Sequence, residues 1–195
     1  VNFSSAWKSS GLTSFPSDID LSKGTTFNNT WRQSGLTSFS TPLPAASDVS
    51  AAWYQIYSLT DFSLNSLPEV RFADAAWYAS QITSFTTGLP KVKSLVNAWN
   101  SCSSLTDFSA DVFADWNPSS ISSGIFNQAW LNCPLTAQSV ENILTSIDAS
   151  NQHGTDDGTS TGNPLGDSGI DIDYNGDPLS AATNAAIDSL SGKGW

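Results

Sequence analysis

The feature that most limits what this chain can fold into is a tryptophan that returns at a nearly fixed interval. Trp7, Trp31, Trp53, Trp77, Trp99 and Trp130 each open a similar stretch, written most fully at 99–108 as W-N-S-C-S-S-L-T-D-F. The others read W-K-S-S-G-L-T-S-F from Trp7, W-R-Q-S-G-L-T-S-F from Trp31, W-Y-Q-I-Y-S-L-T-D-F from Trp53 and W-Y-A-S-Q-I-T-S-F from Trp77. W-L-N-C-P-L-T from Trp130 begins a sixth copy. Self-similarity at such a period marks a repeat architecture, in which one unit cannot bury its own apolar side and neighbours must stack.

Laid in register, the copies form columns. Leu or Ile falls at 12, 36, 59, 82, 105 and 135, at intervals of 24, 23, 23, 23 and 30 residues. Phe15, Phe39, Phe62, Phe85 and Phe108 follow three residues later, and Phe3, Phe27, Val49, Leu95 and Phe126 lie four before a Trp, with Phe72 and Ala73 near that slot in the fourth copy. The i, i+4 pairs predict a short helix ending at each Trp. The segment L-T-x-F predicts a short strand, and Pro16, Gly24, Pro42, Pro44, Pro68, Gly88 and Pro90 turn the chain between units. The expected fold is an α/β solenoid of helix–turn–strand coils, about 23 residues each, with the six Trps in its core.

Residues 1–134 are assigned to this solenoid, and residues 135–195 to a C-terminal α/β cap continuous with it. In the cap, Thr136 is the expected N-cap of a helix to about Ser146, with Val140, Ile143, Leu144 and Ile147 on one face. Residues 151–169 read as a loop, and Ile170, Ile172 and Tyr174 alternate as a half-buried strand does. A last helix opens at Ser180, with Ala182, Ala186, Ile187 and Leu190 inward. The long fifth interval holds an insertion between Asp107 and Gly124 that carries Trp116 off the column. Trp116 is expected either to lie over the solenoid as a lid, the preferred reading, or to serve as an exposed contact. It is the best single candidate for a specific contact.

The formal charge of −11 and pI near 4.1 argue against nucleic acid as a partner. Seven scattered basic residues form no polybasic membrane patch. No apolar run approaches the roughly 20 residues that span a bilayer, so no membrane insertion is expected. A chain that begins at Val1 without a signal-like segment is expected to be a processed product or a fragment.

Little in the sequence suggests catalysis, and the chain is read as no enzyme, with no cofactor. Its one histidine, His153, lies in the acidic loop; its two glutamates, Glu69 and Glu141, have ordinary contexts. Asp171, Asp173, Asn175 and Asp177, with Gly176 in the sixth position, match the first half of a calcium loop. Ala182 stands where the bidentate Glu should be, so the set is only a weak metal candidate and no metal is expected. Cys102 and Cys133, each three residues after a column Trp, are expected to be buried thiols in neighbouring coils rather than a disulfide. The most regular polar column is Thr13, Thr37, Thr60, Thr83, Thr106 and Thr136. It reads either as a cross-strand ladder or as a flat polar face for a partner, a glycan or, least favoured, ice. Thr13, Thr37, Thr60, Thr83, Thr106 and Trp116 are therefore the candidate binding residues.

The generalised repeat, F-x-x-A-W-x-x-C-S-S-L-T-x-F-P, resembles the BspA-type leucine-rich repeats, which carry A-F-x-x-C-x-S-L at a similar period. Trp takes the place of Phe, as at Ala98-Trp99 and Ala129-Trp130; the Cys matches at Cys102 and Cys133, Ser10, Ser34 and Ser80 stand in for it, and Ile56 departs from it. The Trp variant is similar to repeats in structural and tail-associated proteins of marine bacteriophages. Their C-terminal segments are similar to L-T-x-x-S-V-x-N-I-L, here Leu135 to Leu144, and end in a helix followed by K-G-W, here Lys193 to Trp195. The resemblance implies a right-handed leucine-rich-repeat solenoid used for adhesion or surface recognition, extracellular on a virion or a cell surface, with no catalytic residues to carry over. The expected function is a non-enzymatic binding or adhesion module whose partner is a protein or glycan surface. The alternative is a structural subunit that assembles with copies of itself into a fibre, filament or capsid component.

Overall fold

The computed structural model describes residues 1–16, 18–119, 124–152, 170 and 172–195. Its repeated part contains little regular structure. Four two-residue strands, β1 (Ser38–Phe39), β2 (Asp61–Phe62), β3 (Ser84–Phe85) and β4 (Asp107–Phe108), pair in parallel as β1–β2 and β3–β4. The pairing Ser38↔Asp61, Phe39↔Phe62, Ser84↔Asp107 and Phe85↔Phe108 places each residue beside its counterpart one repeat on. A second line of parallel bridges, Asn2↔Thr26↔Asp48↔Phe72↔Ser94, joins five consecutive copies elsewhere on the repeat. Successive repeats therefore lie side by side in register.

The segment ending at each Trp is not the expected short helix. It is a run of overlapping β-turns, as in Ala6 N–H to the Phe3 carbonyl, Lys8 to Ser5 and Ser10 to Trp7. Every fourth residue is left-handed: Ser5, Ser9, Asn29, Gln33, Ala51, Gln55, Ala75, Ala79, Asn97, Ser101, Gln128 and Asn132 have φ between +51° and +64°. The reason lies in the backbone donors. An α-helix spends its N–H groups on carbonyls four residues back and has none left for a neighbouring coil. Here alternate N–H groups turn outward, so Phe3, Ser5, Trp7 and Ser9 donate to the carbonyls of Thr26, Asn28, Thr30 and Arg32 at 2.8–2.9 Å. A non-glycine residue in this conformation costs about 1–2 kcal/mol. That cost is offset because the left-handed residues themselves donate across the coils, as Ala75 does to Val96 and Ala79 to Asn100. The i, i+4 aromatics still share a face: Phe27 stacks on Trp31 at 5.7 Å.

The two sides of the repeat run their ladders in opposite senses. On the turn side the N–H of one repeat bonds the carbonyl of the next. On the strand side the later repeat donates back, as Thr37 does to Thr13 and Ser63 to Phe39. Between the sides lies an aromatic core. Successive column indoles stack at 5.3–5.9 Å with interplanar angles of 3–10°. From Phe39 to Phe108 the Phe column stacks beside it at 5.5–5.9 Å, with Phe15 tilted on Phe39 at 6.0 Å, and Phe62 stands nearly perpendicular to both Trp53 and Trp77. From Trp31 to Trp130 the column indoles are wholly buried.

A different architecture closes the C-terminal end. β5 (Trp130–Leu135) leads into α1 (Ala137–Ala149), and β6 (Ile172–Tyr174) pairs with β5 in parallel. Thr136 caps α1 by accepting from the Ser139 N–H, and Val140, Ile143, Leu144 and Ile147 are its buried apolar residues. Ser180 caps α2 (Ala181–Gly192) in the same way. α2 packs on α1 and buries Thr183, Ala186 and Leu190. Ala182, expected to point inward, is exposed.

Candidate functional site

The strand side carries the most regular exposed chemistry. Thr13, Thr37, Thr60 and Thr83 are exposed and Thr106 is half-buried. Their hydroxyls turn along the column: both N–H and Oγ1 of Thr37 donate to the Thr13 carbonyl, at 3.1 and 3.3 Å. The same pair of bonds joins Thr60 to Thr37, Thr106 to Thr83 and Thr136 to Thr106. The Thr column is thus partly a hydrogen-bonded ladder: the hydroxyls of Thr37, Thr60 and Thr136 donate along it, while that of Thr106 lies nearer the Asp107 carboxylate, at 2.8 Å, than the Thr83 carbonyl, at 3.4 Å.

Two more outward columns flank the buried Phe residues. Ser38, Asp61, Ser84 and Asp107 precede them and are exposed; Ser40, Ser63 and Thr86 follow them and are exposed, with Ser109 half-buried. The second of these columns was missed in the sequence. Its signal is the alternation S-F-S, D-F-S, S-F-T and D-F-S, which puts the residues on either side of an inward Phe on the outer face. The face meets α1 at a concave corner of about 220 Å³ lined by hydroxyl, amide and carboxylate groups of Ser84, Thr86, Asp107, Ser109, Gln138 and Asn142, among others. The corner is braced from behind: the Ser139 hydroxyl accepts from Phe108 N–H and donates to the Thr106 carbonyl, and Asn142 Nδ2 donates to the Phe108 carbonyl at 2.8 Å.

Trp116 is not on any face. It is 1% exposed, packs on Phe113, Phe126 and Trp195 and donates its indole N–H to the Val92 carbonyl at 2.8 Å. It is a lid, and its ring is not available to a partner. Trp195, outside the repeat columns, has a structural place of its own. It is 2% exposed, packs at a tilt of 42–46° against Phe126 and Trp116, and donates its indole N–H to the Gln152 carbonyl at 3.0 Å.

The residues weighed for chemistry are engaged elsewhere. Asp171 and His153 lie outside the described residues. Asp173 accepts from Asn132 N–H at 2.7 Å, and Asn175 and Asp177 bond each other. Among the described residues no three His, Cys, Asp or Glu side chains gather as a metal site would require. Glu69 pairs with Lys91 on the surface, and Glu141 accepts from the Ser180 hydroxyl. Cys102 and Cys133 are free and buried. Each thiol donates to the carbonyl of the column Trp in the preceding repeat, Trp77 and Trp99, at 3.1 Å. Burial pushes the Cys102 thiol up to about 11, and it raises Cys133 as well. Neither carries thiolate at neutral pH, which suits packing rather than reactivity. Also among the described residues, no helix is long and apolar enough to cross a membrane.

Comparison with family models, with curated proteins and with solved structures finds no match to this chain.

Proposed function

We propose that this chain is a non-enzymatic binding or adhesion module, a leucine-rich-repeat-like solenoid carried outside the cell on a virion fibre or a cell surface. The observation that supports this reading is the strand-side face, where consecutive repeats present hydroxyls and the Asp61 and Asp107 carboxylates in register. That face is polar, periodic and backed by a stacked aromatic core, as a rigid docking surface should be. Its concave end at Thr86, Asp107 and Gln138 suits a sugar residue, whose hydroxyls would bond the lining oxygens and amides. Screening the labelled chain on a glycan array and on intact cells tests the reading. Binding that Asp107→Ala and Thr86→Ala abolish is expected; binding indifferent to both sinks the face as the site.

A second reading, a structural subunit that assembles with itself into a fibre, filament or capsid component, is favoured by a different observation. The first repeat leaves Phe3, Trp7 and Phe15 only half-buried, an apolar end of the kind that marks an interaction surface.

A further inference from the structure

The turn-side ladder changes partners where it meets the cap. Gln33, Gln55, Ala79 and Ser101 each donate their N–H to a carbonyl of the next repeat, those of Tyr54, Tyr78, Asn100 and Leu131. Asn132 holds the same place in the sixth copy and donates at 2.7 Å to Asp173 Oδ2, on β6. A carboxylate oxygen thus takes the part of a backbone carbonyl and fixes β6 against the repeats. The second oxygen, Oδ1, has no donor among the described residues.

Beside this bond lies a cleft of about 550 Å³ between the last repeats and β6, within the roughly 300–1,000 Å³ of small-ligand sites. Cys133, Pro134 and Ile172 supply its apolar lining. Tyr174 also lines it, 39% exposed and with no ring packed on its own among the described residues. The exposed side chains of Ser103 and Asn132 complete it, and among the described residues neither has a hydrogen-bond partner. These groups select a class of ligand. A pyranose ring has an apolar C–H face that lies flat on an aromatic ring and a rim of hydroxyls that both donate and accept. Tyr174 offers the ring, Asp173 Oδ1 accepts, and Ser103 and Asn132 do both. Among the described residues no Lys, Arg or His lines the cleft, and the charge of Asp173 disfavours phosphate, sulfate or carboxylate groups.

The cleft has a continuation along the repeats. Tyr57, Gln81, Ser103 and Pro134 each follow a column Trp by four residues, in four successive copies. At about 4.8 Å per coil, the row from Tyr57 to Pro134 measures roughly 14 Å. Tyr57, at its far end, is 65% exposed. Two exposed tyrosines therefore bracket the amide of Gln81 and the hydroxyl of Ser103.

We propose that this cleft is a second glycan site, in which a neutral hexose unit lies against Tyr174 and its chain runs back along the row to Tyr57. The proposal extends the binding reading above to another face, and the cleft shares no lining residue with the corner at Thr86, Asp107 and Gln138.

Titration calorimetry of the 195-residue chain with cellohexaose, chitohexaose and maltohexaose, and with the disaccharide of each, tests this. At least one hexasaccharide is expected to bind at least tenfold more tightly than its disaccharide. Tyr174→Ala, at an exposed position and checked by circular dichroism, should weaken both at least tenfold, while Tyr174→Phe keeps the ring and most of the binding. Tyr57→Ala should weaken the hexasaccharide and leave the disaccharide unchanged. Binding lost in Tyr174→Ala but kept in Thr86→Ala and Asp107→Ala supports the cleft, whatever becomes of the strand-side corner. The reverse pattern overturns the cleft and leaves that corner standing. No heat with any of the six sugars, or binding indifferent to Tyr174→Ala, overturns the proposal. A hexasaccharide indifferent to Tyr57→Ala overturns its extension along the row.

Discussion

The indole ladder is built alike along its length and finished differently at its two ends. At the closed end Trp130 and Phe126 are wholly buried, roofed by Phe113, Trp116 and Trp195. At the first repeat Trp7 stacks on Trp31 at 5.9 Å on one side, and its other ring neighbours among the described residues are Phe3 and Phe15. The stretches beginning at Trp7 and Trp31 differ only where Lys8 and Ser9 replace Arg32 and Gln33, yet one is half-exposed and the other buried. Burial here is conferred by the neighbouring repeat and not by the residues of the repeat itself. The roofing residues also differ in kind from those they cover. Trp116 and Trp195 each give their indole N–H to a carbonyl, whereas the N–H groups of Trp31, Trp53, Trp77, Trp99 and Trp130 find no acceptor. The column indoles are held by ring stacking and area alone; the roof is pinned by hydrogen bonds.

The two ends should therefore respond unequally to the same cut. Trp130→Ala removes a fully enclosed indole and is expected to cost about 3–5 kcal/mol of unfolding free energy. Trp7→Ala, with part of its surface already in water, should cost roughly half as much, since the loss scales with the area and the cavity left behind. Urea midpoints of the two variants measure the difference, and equal losses would break the distinction between the ends. Trp195→Ala strips the roof without touching the ladder. Its expected cost is about 2–3 kcal/mol, less than for an internal Trp because the turn that carries it can close into the gap. A rise in the accessibility of Trp116 to an aqueous fluorescence quencher should accompany it; no rise would mean the roof does not depend on its last residue.

Reading the sequence found the columns because stacking needs the same side chain at the same place in each repeat. Trp, Leu and Phe at near-constant spacing could hardly mean anything else. Thr136 and Ser180 were legible as caps because a hydroxyl before an apolar-periodic run has one local use. The turn segments were misread for a physical reason: a spacing of four fits both an α-helix and a pair of type II-like turns. What separates them is where the N–H groups go, a tertiary property. Asn29, Gln33, Ala51 and Ala75 carry no mark of a left-handed backbone, as glycine would. The site was only half legible. The Thr column showed itself by repetition, while the hydroxyl column at Ser40, Ser63 and Thr86 was hidden by treating the Phe as the end of the unit. Trp116 stood out because it was off the column, which is also why the core needed it as a lid.

The middle of the ladder supplies a test whose sign matters more than its size. Ala75 has φ +51° and sits where a helix was expected. In a helix, Ala→Gly costs about 1 kcal/mol. At a left-handed position glycine relieves strain of similar size and loses some of that gain to the greater freedom of the unfolded chain. Ala75→Gly is thus expected to be neutral or stabilising by up to about 1 kcal/mol. A thermal midpoint lowered by several degrees would restore the helix and undo the account of how neighbouring coils pair.

The smallest effect separates the closed end from the rest by pH. Lys193 Nζ donates to the Asp148 carboxylate and to its backbone carbonyl, both at 2.7 Å, and Ser189 donates to the same carboxylate at 2.6 Å. Partial burial pushes the Asp148 carboxyl up, but the hydrogen bonds from Lys193 and Ser189 and the charge of Lys193 outweigh it and hold the group below its ordinary value. A depressed folded-state pKa contributes stability that is present above the unfolded value, about 3.9, and is lost as pH falls through the folded one. For a partly exposed pair the contribution is about 0.5–1 kcal/mol near neutral pH. Lys193→Met should therefore lower stability by that amount near neutral pH, and the gap from the parent chain should close as the medium is made more acid than the ordinary Asp range. Because Lys193 ties the turn after α2 that delivers Trp195 to its seat, quencher access to the roof should change in the variant and the internal column should not. Stability curves that stay parallel at all pH values would show that the pair contributes nothing, and that the roof is held by its rings and indole N–H groups alone.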